Sequence, residues 1–258
     1  MIIRDVIDAL ERFAPLPLQD DYDNSGLQVG LTETEVSGAL LCLDITEEVI
    51  REAISLGFNL IVSHHPLLFA PLRSITDGSS VGRCVIEAIR NGITIYSSHT
   101  CLDNARGGVN YEIASRLGLQ DLDWLEPKTN GSGSGLTGLL TTTMYESAFV
   151  DLVKSVFGVK HVRCNGNYDK PIHKVAVCGG SGAFLIPKAI ATGADAFVTG
   201  EIGYHRLFGH DGEILLIELG HYESEQFTVD LLYSLLRHEI PALRLEKTRC
   251  ITNPVRCK

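Results

Sequence analysis

The chain has 258 residues, 45% of them hydrophobic and 21% charged, with a formal net charge of −10 at neutral pH. That length supports one large or two small cored domains, and the apolar share excludes general disorder. The acidic balance disfavours nucleic-acid polymers and anionic membrane surfaces as partners, since both are polyanions, but it leaves room for a local basic pocket.

The opening MIIRDVIDALERFAP spaces its apolar residues as an amphipathic helix over 2–14. It lacks the apolar core and small-residue cleavage site of a secretory signal. No stretch reaches the roughly 18 apolar residues that a membrane span needs. Seven cysteines, at 42, 84, 101, 164, 178, 250 and 257, form no CxxC pair. Such an odd, scattered set reads as reduced thiols, and the cytoplasm is the expected location.

After PLPLQD and the polar turn DDYDNSG, the run SGALLCLDI (37–45) predicts a strand. Thr46 is placed to cap a helix through EEVIREAISL, with Val49, Ile50, Ala53 and Ile54 on one face and Gly57 as its stop. FNLIVS (58–63) is a strand, 81–92 a helix and 93–98 another strand. This β-α-β order, with strands apolar on both faces, predicts a parallel sheet covered by helices. TNGSGSG (129–135) reads as a linker. Beyond it come strands at 136–143, 173–179, 194–200 and 213–219, helices through ESAFVDLVKSVFG and AFLIPKAIATG, and a last helix over 224–238. The expectation is an α/β fold of two lobes with largely parallel sheets flanked by helices. The first lobe covers 1–128, the second 129–220, and 221–258 returns as a C-terminal helix to the first lobe.

Ligands of open parallel sheets gather outside the carboxyl ends of the strands. Three segments fall there: IVSHHPLLF with His64 and His65, SHTCLDNARGG with His99 and Asp103, and GHYESE with His221, Glu223 and Glu225. Alone, each has a structural explanation, as a capped strand end, an Asx turn or a helix-start pair. Together they point to a metal site at the strand ends between the lobes. Successive strand residues face opposite ways, and Pro66 ends the strand, so two neighbouring ions each taking one histidine satisfy the geometry. His221 and Glu225 share a helix face at a spacing of four. Because a carboxylate has two oxygens, Glu225 is assigned as the bridge. His64 and Asp103 then complete one ion, and His65 and His221 the other. Nitrogen and carboxylate oxygen without thiolate suit Fe, Mn, Zn or Ni.

Two further stretches have open readings. VCGGSG (177–182) is a phosphate cradle or a tight turn. In VTGEIGYHR (198–206), Glu201 and His205 form a substrate-facing pair or a structural contact.

With DNSGLQVG (23–30), LIVSHHPLLF (60–69), SHTCLD (98–103), VTGEIGYH (198–205) and GHYESE (220–225), the chain resembles the GTP cyclohydrolase 1 type 2 homologue family nearly end to end. These proteins are also described as Ngg-interacting-factor-like. The resemblance implies metal ligands at His64, His65, Asp103, His221 and Glu225, and a toroidal homohexamer of two-lobed α/β subunits. It also implies a dinuclear hydrolase opening the imidazole ring of GTP with loss of formate. His99 and His205 are then candidate proton carriers, and Arg106, Lys188 and Arg206 the cations placed to meet a triphosphate. A non-catalytic metal-binding scaffold and a metal-dependent phosphoester hydrolase are the alternatives. One departure is Cys101, where the family motif usually has asparagine.

Overall fold

A computed structural model describes residues 1–129, 131–166 and 168–256. The chain forms two compact units, Met1–Leu102 joined by the segment that begins at Thr228, and Asp103–Phe227. The first unit contains α1 (Ile3–Phe13), β1 (Gly26–Val29), β2 (Ala39–Cys42), α2 (Glu47–Leu56), β3 (Leu60–Ser63), α3 (Ser80–Arg90) and β4 (Thr94–Ser97). The short helix α4 (Thr100–Asp103) ends at the boundary. The second unit holds α5 (Val109–Arg116), β5 (Gln120–Pro127), β6 (Gly133–Met144), α6 (Glu146–Phe157), β7 (Arg163–Cys164), β8 (Ile172–Cys178), α7 (Ile186–Ala191), β9 (Ala196–Thr199), β10 (Leu215–Glu218) and α8 (His221–Glu225). The chain then re-enters the first unit through α9 (Thr228–Glu239) and β11 (Leu245–Lys247).

In the first unit the sheet order is β1-β4-β3-β2-β11, with β4, β3, β2 and β11 parallel and β1 antiparallel at the edge. Leu40, Ile61 and Ile95 pack against Val49, Ile50 and Ala53 of α2 and Cys84, Val85 and Ala88 of α3. The ends of α2 form as the sequence predicts. Thr46 accepts a hydrogen bond from the Val49 amide, and Gly57 closes the helix in the left-handed region at φ 68°. α9 packs on α1 and β11.

The second sheet runs β5-β6-β8-β9-β10-β7. Its central β8, β9 and β10 are parallel, but β5, β6 and β7 pair antiparallel, so this sheet is mixed rather than largely parallel. Ala176, Phe197 and Leu216 meet Leu185, Ile186 and Ala189 in its core.

The division of the chain differs from the one expected at 128 and 220. From Gly133 onward the expected TNGSGSG linker is strand β6, with Pro127 paired to Gly133, while residue 130 of that stretch lies outside the described residues. The glycine there has a packing reason: a Cβ on Gly133 would lie 2.6 Å from Trp124 Cδ2. α5 packs on β6 and β8, which draws residues 103–128 into the second core. The described cysteines form no disulfide among themselves. No helix of the described residues is long and apolar enough to cross a membrane.

Candidate metal centre

In the first unit the register of three parallel strands arranges the chemistry. Cys42 pairs with Ser63 and Ser63 with Ser97, so Asp44, His65 and His99 each lie two residues beyond a matched set. The main chain keeps this alignment past the strands: the His64 amide donates to Cys42 O at 3.2 Å, that of His65 to Leu43 O at 2.9 Å, and that of Ser98 to Ser63 O at 2.9 Å. The rings gather accordingly. Centroids lie 4.9 Å apart for His64 and His65, 5.2 Å for His64 and His99, and 5.4 Å for His65 and His99. One ring nitrogen from each falls within 4.8 Å of the others, a group able to hold a metal ion.

Each ring is oriented from behind. His64, fully buried, gives Nδ1–H to Ser98 O at 2.9 Å. A carbonyl can only accept, so in the neutral ring the proton is on Nδ1 and the lone pair on Nε2. His65 Nδ1 meets Asp44 Oδ1 at 2.6 Å, and His99 Nδ1 meets Asp23 Oδ1 at 2.6 Å. Burial works against ionisation of Asp23. Its bond to His99, the attraction between the two, and the hydroxyls of Ser25 and Thr100 more than offset that, and hold the carboxyl well below the usual carboxylate range. Asp44 follows the same pattern: burial opposes ionisation, and His65 and Thr252 outweigh it. Ionised carboxylates accept, so these rings also carry the proton on Nδ1.

The Asp23 shift gives a pH signature. Its folded pKa lies below the ordinary value of 3.8. The stabilisation is therefore fully present above that value and is lost as pH falls through the folded one. The difference in urea-unfolding free energy between the wild type and Asp23→Asn is expected to shrink progressively as pH drops below about 4.

The second unit repeats the device. Cys178, Thr199 and Glu218 are matched across β8, β9 and β10, and beyond them come Gly180 and Glu201 in loops and His221 at the start of α8. His221 Nδ1 lies 3.1 Å from Glu201 Oε1 and its Nε2 3.1 Å from Glu225 Oε2. Glu225 is 3% exposed and packs against the Gly179–Gly180 loop. A carboxylate oxygen of Asp103 lies within 4.8 Å of one of Glu225. Asn110 fastens this arrangement, donating to Asp103 O at 3.1 Å and accepting from the Gly179 amide at 3.0 Å.

The donor set fits a divalent transition metal. His221 Nε2 and Glu225 Oε2 lie side by side at 3.1 Å, a nitrogen and a carboxylate oxygen that would both serve such an ion. Metal-binding imidazoles as a rule pass their second N–H to a carboxylate or carbonyl. All four rings here set Nδ1 against such a group, Ser98 O, Asp44, Asp23 and Glu201, and the ring of His221 also meets Glu225 through Nε2. Nitrogen and oxygen donors without sulfur suit Fe, Mn, Zn or Ni.

Other sequence expectations resolve differently. The glycine loop is a turn, since its amides at 179, 180 and 182 donate to Asn110, Ser224 and Thr199 rather than waiting for phosphate. Glu201 bonds Ser181 and His221, not His205. His205 stands exposed on a 3-10 turn, its ring contacts among the described residues being Tyr204 and Phe208. Arg106 is exposed, while Lys188 pairs with Glu126 at 3.4 Å and Arg206 donates to Ala183 O at 2.9 Å. Cys101 is fully buried, its Sγ 3.6 Å from Ser98 Oγ, where it packs as a small apolar group. Asp23 and Asp44 were missed by sequence reasoning. The available signal for Asp44 was its offset from the strand end, the same as that of His65 and His99.

The sequence model of the DUF34/NIF3 (NGG1p interacting factor 3) family matches residues 1–254. A GTP cyclohydrolase 1 type 2 homolog of Clostridium perfringens is 37% identical over 228 residues, 87% of each chain. One from Lactococcus lactis is 36% identical over 98% of each chain. The crystal structure of a Staphylococcus aureus protein superposes with a TM-score of 0.92 at 26% identity, covering 100% of this chain and 99% of that one.

Proposed function

Since the chain belongs to the DUF34/NIF3 family, we propose that His64, His65, Asp103, His221 and Glu225 together hold two divalent cations and that the protein is a hydrolase built on them. The observation that carries this reading is the common orientation of four imidazoles, each with Nδ1 against a carbonyl or carboxylate, which points to Nε2 as the donor atom of His64, His65 and His221. Paired divalent ions supply Lewis acidity toward an oxyanion and acidify water. The chain's own residues do the rest. Glu225 would offer its two oxygens to the ions, Asp44 and Glu201 fix the rings of His65 and His221, and His99 presents Nε2 as proton carrier with Asp23 supporting the charged ring. His205 is assigned no part.

The relatives' name, GTP cyclohydrolase 1 type 2 homolog, makes GTP the substrate to try first, and the reaction proposed for it is hydrolytic opening of the imidazole ring with release of formate. One observation favours a second reading, a metal-holding scaffold: two of the three cations placed to meet a triphosphate are already engaged, Lys188 by Glu126 and Arg206 by Ala183 O. A homohexamer in the cytoplasm is part of either reading.

Protein loaded with Mn, Fe or Zn is to be assayed for GTP loss and formate release, beside a nucleotide panel and a generic phosphoester, with metal content and light-scattering mass measured on the same sample. Metal-dependent formate release is the expected result. Bound metal with a hexameric mass and no turnover on any substrate selects the scaffold. Turnover of the phosphoester alone selects phosphoester hydrolysis.

A further inference from the structure

The segment after β11 reaches the candidate centre by its own route. β11 runs parallel to β2, with Lys247 opposite Leu41, and the Thr248 amide continues that pairing to Leu41 O at 2.8 Å. The chain is then pinned to α2: the Thr248 hydroxyl bonds Glu52, the Arg249 amide donates to Glu52 Oε1 at 3.1 Å, and Cys250 packs against the core of the first unit. Two residues further on, Thr252 Oγ1 lies 2.8 Å from Asp44 Oδ2. The other oxygen of that carboxylate takes the Nδ1–H of His65 at 2.6 Å.

We propose that Thr252 is a positioning residue for the His65 imidazole, acting through Asp44. A carboxylate hinged at its last side-chain torsion rotates through a broad well unless both oxygens are held. Here the hydroxyl can only donate to Asp44, so the two oxygens are tied to donors on different parts of the chain, one in the C-terminal segment and one after β3. Fixing the carboxylate plane fixes the ring that leans on it. The inference rests on the reading of His65 as a metal ligand for its consequence, and on geometry alone for its mechanism. With Asp44 34% exposed at the side chain, water replaces a lost hydroxyl as a partner but not as an anchor, so the effect is graded rather than total.

The test compares the full-length wild type, Thr252→Val and Thr252→Ser. Zn2+ affinity is measured by chelator competition, and the His65 Nδ1–H proton is observed by NMR in metal-free protein. Thr252→Val is expected to weaken Zn2+ binding about tenfold, at the lower end of what partners behind a ligand contribute. It is also expected to move the His65 resonance upfield with faster water exchange, and Thr252→Ser to restore both. An unmoved resonance, an unmoved affinity, or failure of the serine variant to restore them overturns the inference. If the wild type itself binds no Zn2+, the metal reading of the previous section falls, and the resonance alone decides the role of Thr252.

Discussion

Glu225→Gln is expected to lose metal while remaining folded. The side chain is 4% exposed and faces His221 Nε2 at 3.1 Å, so it is placed to give charge and two oxygens to whatever cation lies there. Glutamine keeps the shape and packing against the glycine loop but is neutral and offers a single oxygen. Affinity is expected to fall by more than the roughly 10- to 100-fold seen when a partner behind a ligand is removed, because the proposal makes Glu225 a ligand itself. The bound-metal content of purified protein and a Zn2+ competition titration report this, with circular dichroism as the check on folding. A glutamine variant that retained two ions per chain would remove Glu225 from the bridging role.

Gly180→Ala is expected to damage both the fold of the second unit and the pairing of His221 with Glu225. Gly180 sits at φ 58°, where a side chain costs about 1–2 kcal/mol. Its added Cβ would also collide with Glu225 Oε1 and approach His221 Cε1 to 3.3 Å. Overpacking of that kind costs about 1–3 kcal/mol more. Gly57 supplies the control: its φ is 68°, yet nothing lies within 4 Å of the position its Cβ would take. Gly57→Ala should therefore carry the backbone cost alone and leave metal binding untouched. The difference between the two variants in urea-unfolding free energy isolates the contact with Glu225. Equal losses, with equal metal affinity, would show that the glycine loop does not support that carboxylate.

The centre of each sheet was legible because buried strands are continuous apolar runs, as in LIVS at β3 and TIYS at β4, and α2 because both its cap and its stop are encoded locally. The pieces that escaped were those whose pattern is weak by itself. β5, QDLDWLEP, has only Trp124 and Leu125 buried, and the apolar face of α5 includes Asn110. β1 and β11 are short strands at the sheet edges. For the candidate site, residues at strand ends could be found from their position alone. Asp23 could not, since its partner His99 is brought to it by the antiparallel pairing of β1 with β4. The expected pairing of Glu201 with His205 needed a helix from 201. Gly203 is extended there at ψ 138°, and the 3-10 turn begins only at Tyr204.

The doubled histidine is held in line by main-chain hydrogen bonds to Cys42 O and Leu43 O, which any residue except proline would make. The mouth of β3 is thus a socket whose fittings are exchangeable. Cysteine at 64 or aspartate at 65 would occupy the same backbone sites and present softer or harder donors, opening a route to retuning metal preference without redesigning the scaffold.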